Sequence, residues 1–188
     1  MKTPTLLLTL ALTALPVPSV AHAAKPHVHG VATLQVVADG KTLELRFESP
    51  LENLVGFERG PRNDKERQQI RDLAAKWRQS NALFAPTTEA QCKARDVTLT
   101  SAVIEPTLLL PADALVATPS KNVPVAASDH ADLNAIVRFH CDNPGALKGI
   151  DVRLFSAYSR LRQLNVEIIS ATKQSAVKLT PAQTLIKW

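Results

Sequence analysis

The chain has five histidines in 188 residues, and three of them fall in the single stretch "AHAAKPHVHG", residues 21–30. His27 and His29 are two apart. In an extended segment that spacing projects both side chains the same way, about 6.6 Å apart along the backbone. Two imidazoles so placed can lean onto one divalent ion, with nitrogen about 2.0 Å from zinc. Zinc takes four ligands, usually at least three of them from protein, so other donors must converge. The candidates are His130, His140, Glu58, Asp129 and Asp132. Imidazole also accepts copper and nickel, copper usually more tightly. A ligand imidazole must be neutral, so affinity is expected to weaken as pH falls through about 6.5. An amino-terminal copper/nickel motif does not fit. It needs histidine third behind a deprotonatable amide, whereas cleavage before Ala24 leaves His27 fourth, and Pro26 has no amide proton.

Other chemistry is scarce. No glycine-rich phosphate loop, serine elbow or HExxH is present. Ser49, Glu48 and Glu58 are near one another in sequence, but no histidine is spaced to serve them as a base. The chain is therefore expected not to be an enzyme. A net charge of +5 is thinly spread, with few aromatics and no basic run interleaved with them, which argues against nucleic acid.

The opening "MKTPTLLLTLALTALPVPSVAHA" has a basic head at Lys2, an apolar run from Leu6 to Leu15 and a small-x-small ending at Ala21-His22-Ala23. This is a secretory signal pattern, with an apolar run too short to span a membrane. Residues 1–23 are expected to be cleaved, leaving an exported chain from Ala24 in the periplasm, without stable membrane insertion. Cys92 and Cys141 are the only cysteines. In an oxidising compartment such a pair reads as a disulfide. It would close a loop of roughly fifty residues, a contribution on the order of 4 kcal/mol in the chain-entropy model. The alternative is a thiolate metal site with His140.

The elements that must carry these residues are partly legible. "GVATLQVVADGKTLELRFESP" reads as a β-hairpin turning at Asp39-Gly40, with Leu43, Leu45 and Phe47 on one face. "NDKERQQIRDLAAKWRQS" predicts a helix capped by Asn63, its stripe formed by Ile70, Leu73, Ala74 and Trp77. Strands are expected from about Val97 to Ile104, over "DLNAIVRFHC", "IDVRLF" and "LNVEIISA", and near Ala176–Leu179. Asn143 and Pro144 start a short helical turn. "PADALVATPSKNVPVAASDH" is rich in proline, alanine and serine, and reads as a flexible surface loop over about 111–130. Finally, "RFESPLENLVGFE" and "RFHCDNPGALKGID" match with one residue of gap, so that Leu54, Gly56, Phe57 and Glu58 correspond to Leu147, Gly149, Ile150 and Asp151 at a constant offset of 93. The expected fold is a single α+β domain over 24–188. Its two similar β-rich halves, about 24–110 and 130–188, would each carry antiparallel strands and a helix, in a pseudo-symmetric pair.

The same residues carry a resemblance. His27-x-His29-Gly30, "ESPLENLVGFE" (48–58), Cys92, Cys141, "FHCDNPGALKGIDVRLF" (139–155) and the closing "NVEI" are similar to the ZrgA family, periplasmic proteins of zinc uptake in Gram-negative bacteria. The resemblance covers nearly the whole mature chain. It implies an α+β zinc-binding accessory protein that holds or relays the ion, with inner-membrane transporter components as partners. There are two departures. The central loop holds His130 alone where family members commonly carry a histidine-rich run, and Arg59 stands where histidine often follows "GFE". A fixed cation beside the ligands opposes a divalent one. These departures favour a second reading, a structural or interaction protein of the envelope that keeps the family fold.

Overall fold

The computed structural model describes residues 28–111, 131–171 and 173–187. The leader, His27, Asp129, His130 and nearly all of the expected central loop lie outside the described residues.

The first hairpin forms as its alternation requires. Strand β1 (Val31–Asp39) pairs antiparallel with β2 (Thr42–Pro50), and Gly40 supplies the positive φ at the turn. Ala32, Leu34 and Val36 of β1 and Leu43, Leu45 and Phe47 of β2 point into the core. Helix α1 (Leu51–Val55) follows directly and ends at Gly56 in the left-handed conformation. Helix α2 (Asp64–Arg78) is the long amphipathic one. Its amide at Glu66 donates to the Asn63 side chain, and Ile70, Leu73, Ala74 and Trp77 are the buried stripe. Helix α3 (Ser80–Leu83) leads into β3 (Phe84–Pro86), and β4 (Cys92–Thr100) and α4 (Pro106–Leu109) complete the first half. In the second half come β5 (Asp132–Cys141), β6 (Gly149–Val152), α5 (Leu154–Ala157), β7 (Gln163–Ser170), β8 (Gln174–Leu179) and β9 (Leu185–Lys187).

These elements make an α+β, β-rich fold. One sheet runs β4-β5-β2-β1-β7-β8 and the other β3-β6-β9, and every pairing is antiparallel except β1 with β7. Trp77 links the layers, its ring centroid 4.9 Å from that of Phe47 on β2 and 5.9 Å from that of Phe84 on β3. The halves interleave: each sheet takes strands from both, and one hydrophobic cluster draws on both.

Several expectations need correction. Strand β4 starts at Cys92, five residues before the predicted Val97. Its charged Lys93, Arg95 and Asp96 and a bulge between Ala94 and Asp96 hide the alternation, as suits an edge strand. Leu154 and Phe155 begin a helix rather than extending β6. The internal sequence match is carried only part-way into structure. Its two Arg-Phe pairs lie on the neighbouring strands β2 and β5, where Arg46 and Arg138 both donate to the Glu44 carboxylate at 2.6 Å. Burial alone would push that carboxyl up, but the two guanidinium hydrogen bonds outweigh it and hold it below the usual value. Beyond that point the two stretches differ, because Gly56 is a left-handed helix cap whereas Gly149 opens a strand.

The disulfide is formed, joining Cys92 on the edge strand to Cys141, its register partner on β5. It closes a loop with a sequence separation of 49. Replacing both cysteines with alanine is expected to lower the unfolding free energy by on the order of 4 kcal/mol, read by urea denaturation. An unchanged midpoint would contradict that role.

Candidate metal centre

His29 is not on an extended strand. Val31 donates its amide to the Val28 carbonyl at 3.0 Å, closing a four-residue turn with Gly30 third at φ +80. A turn of this shape demands glycine there. His27 lies outside the described residues, and the chain turns at His29-Gly30 instead of running straight into β1.

The turn directs the imidazole across the chain. His29 Nε2 lies 3.0 Å from Glu58 Oε1, with the side chains 66% and 40% exposed. Glu58 lies two residues beyond Gly56, where α1 ends in the left-handed conformation. Two ligand atoms on a tetrahedral zinc are about 3.4 Å apart, given metal bonds near 2.0–2.2 Å. The pair thus needs only a small opening to share an ion. Among the described residues no three histidine, cysteine, aspartate or glutamate side chains converge as a metal shell.

The other candidates separate. His140 is opposite Thr42, at the far end of β2 from Pro50 and the His29 turn. Eight residue steps of strand put it roughly 26 Å away, so His140 and His29 cannot share one ion in this fold. His140 lies instead 3.6 Å from Asp142, whose other oxygen is 3.4 Å from Lys93 Nζ. Asp132 pairs with Pro50, at the same end as His29, and is buried. Of the expected donors to the His27-x-His29 pair, Glu58 is the one that the described structure brings to His29.

Arg59 also takes a different part from the one its sequence position suggests. Its guanidinium grips Glu66 through two bonds, at 2.6 and 2.9 Å, donates to the Gly60 carbonyl and lies 5.0 Å from the Phe57 ring centroid. Glu66 also accepts the Arg62 amide at 2.7 Å. The Arg59 hydrogen bond, then that amide, pull the Glu66 carboxyl down to about 2, and Glu66 in turn pushes Arg59 up. Much of the cationic charge that would oppose a metal is thus balanced within its own loop. Arg160 is similarly engaged, with Nε 3.4 Å from Glu52 and its guanidinium against Gly56, where a Cβ would meet it at 3.1 Å.

The comparison with known families decides the kinship. The family model for ZrgA family zinc uptake proteins matches residues 26–188. The chain belongs to the ZrgA family. No curated protein matches the sequence. For this ZrgA member, the family description makes a zinc uptake role the coarse assignment, with zinc as the ion concerned. No helix among the described residues is long and apolar enough to cross a membrane.

A carboxyl held low in the folded state stabilises fully above its unfolded value of about 4.5, and that contribution fades as pH falls toward about 2. The thermal midpoint of Glu66→Gln should be lower than that of the unaltered chain at pH 7. The gap should close as pH falls from about 4.5 toward 2. A gap that persists unchanged to pH 2 would contradict the Arg59–Glu66 clamp.

Proposed function

We propose that the chain is a periplasmic zinc-binding accessory protein of a metal-uptake system, which holds or relays the ion rather than catalysing a reaction. His29 and Glu58 are its lead ligands, and His27, two residues away in sequence, is the candidate third. The observation that carries this reading is the 3.0 Å approach of His29 Nε2 to Glu58 Oε1. A neutral imidazole nitrogen and a carboxylate oxygen are both zinc donors, and a turn and a helix cap bring them together from separate elements. Exposure of the pair suits a carrier. Structural zinc sites are closed by four protein ligands, whereas an open shell leaves a position from which an ion can be handed on. The receiving partner is then a component of an inner-membrane transporter.

A second reading is favoured by the small number of ligands. Among the described residues only two donor side chains meet at this point. On that reading the exposed pair is an ordinary ion pair, and the protein serves as an interaction module of the envelope.

Calorimetric titration of zinc into the metal-stripped chain from Ala24, without a histidine tag, separates the two. The metal reading expects one site of micromolar or tighter affinity. His29→Ala and Glu58→Gln should each weaken it at least tenfold, while His140→Ala should leave it unchanged. Absence of binding, or binding indifferent to both His29→Ala and Glu58→Gln, would favour the interaction module instead.

A further inference from the structure

Asn53 is a polar residue with 2% exposure, in the middle of the short helix α1. Its side chain makes three hydrogen bonds. The oxygen accepts the Gly30 amide at 2.6 Å, and the nitrogen donates to the Val31 carbonyl and to Ser49 Oγ, each at 3.0 Å. Two of these bonds grip the backbone immediately after His29. On the other side, the Gly30 carbonyl accepts the amides of Arg162 at 2.7 Å and Gln163 at 2.9 Å. The peptide that carries His29 is thereby held from both directions. Asn53 also belongs to the helix whose cap, Gly56, releases the chain toward Glu58.

Only an amide of this length offers one acceptor and two donors at that place. Aspartate keeps the acceptor and loses the donors, and alanine leaves a buried amide and carbonyl without partners, which is costly. Ser49 is in the same network, but among the described residues its hydroxyl bonds Asn53 and the Pro50 carbonyl and makes no hydrogen bond to the His29 turn.

We propose that Asn53 is a positioning residue, which fixes the His29 turn against the helix leading to Glu58 and so sets zinc affinity without contacting the ion. This deepens the zinc reading above and rests on it. The bond geometry supplies the means: the Asn53 side chain ties the His29 turn to the helix whose cap precedes Glu58, so part of the entropy of bringing the ligands together is spent in folding rather than at binding.

The test compares Asn53→Ala with Ser49→Ala in the chain from Ala24. Both remove buried hydrogen bonds and should lower the thermal midpoint. Asn53→Ala should lose at least tenfold in zinc affinity, and Ser49→Ala should stay within about twofold. Asn53→Asp, which retains the bond to the Gly30 amide, should recover part of what alanine loses. Equal affinities for Asn53→Ala and the unaltered protein, or equal losses in Asn53→Ala and Ser49→Ala, would overturn the proposal. Amide hydrogen exchange on the metal-free, unaltered chain gives an independent reading that needs no folded variant and no zinc. Gly30 should be strongly protected, and free exchange at Gly30 would also overturn the proposal. If the chain binds no zinc while Gly30 is protected, the zinc reading fails. The role of Asn53 is then decided by whether Glu58→Gln shifts the His29 imidazole resonances in the unaltered background but not in Asn53→Ala. A shift in both backgrounds would overturn it.

Discussion

The backbone of Gly30 is where three parts of the chain are tied together. Its amide is held by α1 through Asn53, and its carbonyl by the amides of Arg162, just before β7, and Gln163, which starts it. The positive φ that lets one residue serve both sides is accessible to glycine and strained for other residues. A Cβ there would also come within 3.2 Å of the Arg162 side chain. From this point β1 runs out parallel to β7, the one parallel pairing in either sheet. That pairing joins the carboxy-terminal strands to the amino-terminal hairpin. Without it β7 and β8 would lose their place beside β1.

The same tie explains why the candidate metal centre lies at a junction rather than within one half. His29 comes from the turn, Glu58 from beyond the α1 cap, and Arg160 packs on that cap from the segment before β7. Nearby positive charge is engaged by carboxylates, Arg59 by Glu66 and Arg160 by Glu52. A pair of zinc donors can therefore persist in a chain with a basic balance. At the far end of the large sheet, the disulfide secures the edge strand β4 to β5, remote from the ligand pair.

The sequence made the long regular elements legible. The hairpin, α2 with its Asn63 cap, and the alternation of Val137, Phe139 and Cys141 on β5 follow from periodicities of two and 3.6. It did not disclose β3, β9 or α1, because three to five residues are too few to establish a period. The candidate site was legible as a set of residue types and not as a constellation. His29 and Glu58 both drew attention by their chemistry, but 29 residues and a helix cap separate them, and spacing carries no information about such an encounter. The one clue to Asn53 was a polar residue between Leu51 and Leu54 just after a strand, where an apolar side chain would ordinarily be buried. Family resemblance supplied zinc as the ion concerned, and the turn at Gly30 supplied the reason His29 faces Glu58.

On the proposed reading, zinc binds beside the Gly30 junction, remote from the disulfide end. NMR can follow histidine and glutamate side-chain resonances while zinc is added to the metal-free chain from Ala24. The His29 imidazole and the Glu58 carboxylate should move together and saturate at one equivalent, while His140 stays still. Movement centred on His140, or none at His29 and Glu58 in the presence of excess zinc, would contradict that reading.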